Sequence, residues 1–163
     1  MEQFSLLRRK KLILKFTPLS VALEALAFAA LIAGMLAVDR FYPALPETVP
    51  TAFAADGSAL AWGVKETTLL HAILSLFVYI ILTALNFIVR QSCPPDRPLP
   101  VLRIVLDAVA AAKTLFLAHQ AMLTWCALRL QPAPRWPLYA LIAAEAAVCA
   151  VTALLIRKTV SEA

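Results

Sequence analysis

Glu24, Asp107, Lys113, His119 and Glu145 are ionisable side chains that stand inside long hydrophobic stretches. Such groups are costly in an apolar medium, so each is a candidate for ion pairing, proton transfer or contact with a partner. Arg103 and Asp107 lie four residues apart, share a helix face and are expected to pair. Lys113 follows Arg103 by ten residues, roughly 15 Å along a helix at about 1.5 Å per residue. Glu145 stands about 11 residues from the far end of its own stretch, a depth of roughly 16 Å by the same rise. The matching depths predict a Lys113–Glu145 pair, which would neutralise two charges that are expensive alone. Glu24 lies shallower. It can reach the neighbourhood of Asp107, pair with Arg103 or carry a proton. His119, Gln120 and Asn86 can extend a polar interior or supply interhelical hydrogen bonds.

Three readings follow from these residues. They hold helices in register, they line a polar or proton-linked path of a small transporter, or they meet a partner subunit. Other chemistry is poorly represented. Cys93, Cys126 and Cys149 are scattered and form no C-x-x-C pair. His71 and His119 are isolated, without the spacing a metal site needs. No catalytic nucleophile or phosphate loop is visible, so the chain is expected to be no enzyme and to carry no metal or cofactor.

The elements that position these residues follow from composition. Of 163 residues, 62% are hydrophobic and 15% charged, with a mean hydropathy of +0.81. A soluble domain of this length cannot hide that much apolar surface, and disordered chains are apolar-poor. The expected class is an all-α integral membrane protein, a bundle of four transmembrane helices. Apolar stretches at about 19–38, 67–89, 101–130 and 137–156 each reach the roughly 20 residues that cross a bilayer. Thr17 and Pro18 open the first, as cap and first-turn residue. Pro94, Pro95, Pro98 and Pro100, then Pro132, Pro134 and Pro137, mark sharp stops between later spans. The first stretch is too long for a signal-peptide core and is interrupted by Glu24, so it is expected to stay as a helix. Alanines at 108, 110–112, 143, 144, 146 and 147 should let the third and fourth helices approach closely.

Residues 1–18 form a basic cytoplasmic or interfacial segment, and residues 19–163 the membrane domain. With the N-terminus inside, ten basic residues fall in inner segments and four in outer ones. The positive-inside rule then puts both termini in the cytoplasm. The net charge of +5 is therefore an orientation signal, which argues against nucleic acid as a partner. The expected partners are the lipid bilayer and either another membrane protein or an extracytoplasmic peptide. Trp62, Trp125, Trp136 and Tyr139 fall near the predicted outer ends, where amphipathic rings anchor.

The segment between the first two spans holds three prolines and two of the three glycines, which predicts a stiff, turn-rich outer loop. At about 27 residues it is longer than an ordinary connector. Its order Tyr42-Pro43-x-Leu45-Pro46-x-x-Val49-Pro50-x-x-Phe53-x-x-x-Gly57-x-x-x-x-Trp62-Gly63-x-Lys65 resembles the N-terminal domain of unknown function of SdpI-type membrane proteins. That family's pattern is P-x-x-I-P-x-H-F-x-x-x-G-x-x-D-x-x-G-x-K. The resemblance runs from Leu19 to about Val89. Its histidine falls on Ala52 and its aspartate on Leu60, so the matched part is the scaffold: Pro46, Pro50, Phe53, Gly57, Trp62, Gly63 and Lys65. The resemblance implies a small multi-pass protein of the bacterial inner membrane. The best-known family members give immunity to a secreted killing factor and signal to a cytoplasmic repressor.

Overall fold

The computed structural model describes residues 14–54, 56–91 and 99–161. Arg8 to Lys11 of the basic segment, and Cys93, Pro94, Pro95, Arg97 and Pro98 of the second connection, lie outside the described residues. Four helices dominate: α1 (Pro18–Phe41), α2 (Glu66–Gln91), α3 (Leu99–Arg129) and α4 (Arg135–Ser161). Each contains or nearly contains the corresponding apolar stretch. Thr17 caps α1, its hydroxyl accepting from the Ser20 amide at 3.0 Å. Pro100 and Pro137 sit inside α3 and α4 rather than before them. Both occupy the first turn, where a backbone N–H has no intrahelical partner to lose.

Three segments are long and apolar enough to cross a membrane: α1 with the short 3-10 turn that follows it (Pro18–Ala44), α2 and α4. The 31-residue α3 carries Arg103, Asp107, Lys113, His119 and Gln120. It packs against each of the other three helices, most extensively α1. Its place at the junction lets Asp107 and Lys113 meet partners on neighbouring helices. Gly34 of α1 meets the Ala121 side chain of α3, so these two helices approach closely. As the alanines predicted, α4 packs on α3. No residue of α4 is among the buried residues described.

The core is stacked in three layers along the bundle. Leu14 and Leu106 form one end, Ala27, Leu31 and Leu117 the middle, and Val38, Leu45, Val49 and Leu128 the other end. Outward positions of α1 and α2 are large and apolar, among them Leu26, Phe28, Leu36, Phe77, Ile81 and Leu85. So much exposed hydrocarbon suits a lipid environment and not water.

The segment between α1 and α2 differs from expectation. It is not a plain turn-rich loop but a β-hairpin, β1 (Thr48–Phe53) antiparallel to β2 (Ala59–Val64). The fold is therefore mostly helical with one small sheet. Proline and alanine hide the strands from a pattern reading, yet Pro50 is tolerated because each strand of a two-stranded sheet has a free edge. The register is irregular around Thr51 and Leu60, which kinks the ribbon.

Candidate functional site

Two sites emerge, one between the helices and one on the hairpin. The first is a two-storey polar cluster. In the storey nearer residue 14, Arg90 of α2 is 1% exposed and every arm of its guanidinium is used. It donates to Asp107 of α3 at 2.8 Å, to Ser20 of α1 at 3.1 Å, to Asn86 at 2.7 Å and to the Lys15 carbonyl at 3.4 Å. Ser20 also donates to Asp107 at 2.5 Å, and Asn86 donates to the Leu106 carbonyl at 3.1 Å. Phe16 stacks on the guanidinium, 4.6 Å from its ring centroid.

In the second storey, Lys113 of α3 is also 1% exposed. Its ammonium donates to Glu24 of α1 at 2.5 Å and to Thr83 of α2 at 2.7 Å, and lies 4.9 Å from the Tyr79 ring. The spacing explains the construction. Ser20 and Glu24 are one turn apart on α1, and Tyr79, Thr83, Asn86 and Arg90 repeat every three or four residues along one face of α2. Asn86, expected in a polar interior, is there. Among the described residues, no buried side-chain polar atom lacks a partner.

Both predicted pairings change. Asp107 pairs with Arg90 and not with Arg103, which is exposed on its own helix. Lys113 pairs with Glu24 and not with Glu145. Depth counted from the ends of the apolar stretches misleads, since Glu24 reads as shallower than Lys113 yet meets it, and it ignores azimuth: Lys113 faces α1 and α2. His119 and Glu145 are half-buried, and the structure gives neither a hydrogen bond nor an ion pair among the described residues. Arg90 lies one residue past the second apolar stretch, so composition does not mark it as an intramembrane charge. The signal that could have found it is the Asn86-x-x-x-Arg90 spacing at the end of α2.

The hairpin is fixed at three points. Val49 is fully buried against Val38, Leu45 and Leu128. The Lys65 amide donates to the Glu47 carbonyl at 3.1 Å, while its ammonium meets the Glu47 carboxylate at 3.7 Å and the Tyr42 ring at 6.0 Å. At the tip, Gly57 accepts from the Ala133 amide at 2.8 Å, and Arg135 donates to the Asp56 carbonyl at 2.6 Å. Gly57 is required twice over. Its φ is +83°, and an added Cβ would lie 2.0 Å from the Ala133 carbonyl oxygen. Ser58 donates to Asp56 through its hydroxyl at 2.5 Å and its amide at 2.9 Å, holding that carboxyl below the ordinary value of 3.8.

The motif residues thus divide. Tyr42 and Pro43 form the 3-10 turn, Pro46 is exposed just after it, and Pro50 is buried. Pro50 and Phe53 face Thr68, His71 and Gln120 across a small gap, and Gly63 pairs with Val49. Trp62 pairs with Pro50 in the ladder, while its side chain stays exposed. Leu60, Trp62 and Val64 are each more than half exposed, at alternate positions of β2. Trp125, Trp136 and Tyr139 are exposed too. Among the described residues no strand pairs with the far edge of β2. No family model, curated protein or solved structure matches the chain.

Proposed function

We propose that this chain is a four-span, non-enzymatic protein of a bacterial inner membrane, SdpI-like, with both termini cytoplasmic and a hairpin that engages an extracytoplasmic peptide. The observation that carries the reading is the contrast within that hairpin. β1 is anchored to the bundle, whereas β2 leaves an open edge and turns Leu60, Trp62 and Val64 outward. An open strand edge offers main-chain hydrogen bonds to an extended peptide, and alternate side chains add selectivity. Leu60 stands where the family pattern has aspartate, so this hairpin would favour an apolar segment. Immunity to, or signalling about, a secreted membrane-active peptide fits such a surface.

The test is protection. A sensitive bacterium expressing the chain is challenged with secreted membrane-active peptides, and survival is compared with a Trp62→Ser variant. A photoreactive phenylalanine at position 62 then identifies what touches β2. Protection that depends on Trp62, with peptide crosslinks there, is the expected result. Crosslinks to lipid alone would overturn it.

A second reading, an accessory subunit of a larger membrane complex, rests on α4. Among the helices, that one packs chiefly on α3, turns Ala143, Ala146, Ala147 and Ala150 outward, and holds Glu145 without an ion-pair partner among the described residues. Recovery of the protein alone from mild detergent would count against it.

A further inference from the structure

We propose that the cleft between α1 and α2 binds the headgroup of a cationic amphiphile that enters from the lipid. The inference goes beyond the hairpin reading and shares with it only the placement of the helices in a membrane. It starts from how the two ion pairs are oriented. The bases, Arg90 and Lys113, are each 1% exposed, whereas the acids, Asp107 and Glu24, are 19% and 20% exposed. Each pair is neutral, but its negative end faces outward.

Glu24 opens into a cleft of about 490 Å³ that is also lined by Phe16, Tyr79, Phe87, Thr83 and Asn86. One Glu24 oxygen, Oε2, takes both Lys113 and Thr83; no described group bonds the other. An acyl chain filling this cleft would leave a carboxylate oxygen unsatisfied in hydrocarbon, which is costly. A water-filled cleft would wet three aromatic walls. An ammonium headgroup meets both requirements, because the negative end of the neutral Lys113–Glu24 pair faces the cleft and aromatic rings attract cations, Phe87 being the wall that no cation of the described residues already meets. Its alkyl tail would then run along the exposed apolar surface of α2, where Ile80 and Ile81 lie.

The probe is dodecyltrimethylammonium carrying a photoreactive diazirine beside the headgroup, added to the full chain in nanodiscs of zwitterionic lipid. Labelled residues are mapped by mass spectrometry. Saturable labelling is expected at Tyr79, Ile80 and Phe87, competed by unlabelled dodecyltrimethylammonium and at least tenfold less well by neutral dodecyl glucoside. Ile80→Trp, which fills the cleft without altering a charge, should lower that labelling at least tenfold. The double variant Glu24→Gln with Lys113→Met removes both charges of the pair, so neither is left alone, and should lower it similarly. Labelling spread evenly around the bundle, equal competition by the glucoside, or indifference to Ile80→Trp would each overturn the proposal. Protection through Trp62 of the hairpin is scored separately, so the two readings fail independently.

Discussion

The charges at the two ends of the bundle are handled in opposite ways. Between the helices, Arg90–Asp107 and Lys113–Glu24 close at 2.8 and 2.5 Å around fully buried bases. On the hairpin, Lys65–Glu47 spans 3.7 Å with the carboxylate 92% exposed, and Asp56 bonds to its own turn. In a low-dielectric interior a lone charge is intolerable, so acid and base must meet with good geometry and shared hydrogen bonds. At a wet surface the same pairing stabilises little, and positioning falls to backbone contacts and a glycine. The polar cluster therefore ties three helices together, while the hairpin is seated by Val49 and Gly57.

The largest test of that contrast is Lys113→Met. Leaving the half-buried Glu24 without its base should cost up to about 3–5 kcal/mol in unfolding free energy, read by denaturant titration in mixed micelles. Adding Glu24→Gln should restore most of it. Equal losses in the single and double variants would break the comparison. Next comes Gly57→Ala. Strain at a positive φ costs roughly 1–3 kcal/mol, and the clash with Ala133 adds to it. Hydrogen exchange should show the hairpin released while the helices stay protected. If the helices loosen equally, the hairpin is part of the bundle's stability and the two regions are not separable.

Glu145→Leu bears on α4. With no ion-pair partner for Glu145 among the described residues, the isolated protein should unfold no more easily than the parent, and thermal melting should rise slightly. A clear loss of stability would mean that α4 is tied in by a charge contact. The smallest effect concerns Asp56. Its carboxyl titrates lower in the folded turn than its ordinary value of 3.8, so its contribution is present above that value. It fades as pH falls through the folded value. Hydrogen exchange at the tip should quicken only in that acid range, and Ser58→Ala, which leaves the amide bond in place, should weaken the dependence.

Much of this was legible before any coordinates. Helix ends follow Thr17, Pro18 and the later prolines because caps and missing amides act locally. Asn86 was legible as interior because an amide in an apolar stretch needs a partner. The strands were not, since Pro50 and the alanines mask alternation and only anchoring of Val49 makes the ribbon worthwhile. Trp62 illustrates the limit of a motif. Its spacing matched a scaffold, but the matched position points outward here.

By itself the sequence determined that helices would form, how long they are, that their surface suits lipid, and which segment connects them with turns and glycine. Those properties depend on residue type and near neighbours. Only the tertiary structure decided that Lys113 meets Glu24, that Asp107 meets Arg90, and that Glu145 and His119 are left without either contact among the described residues. Pairing depends on azimuth as well as depth, and azimuth is set by how α3 rotates to bury its charges among neighbours far away in the chain.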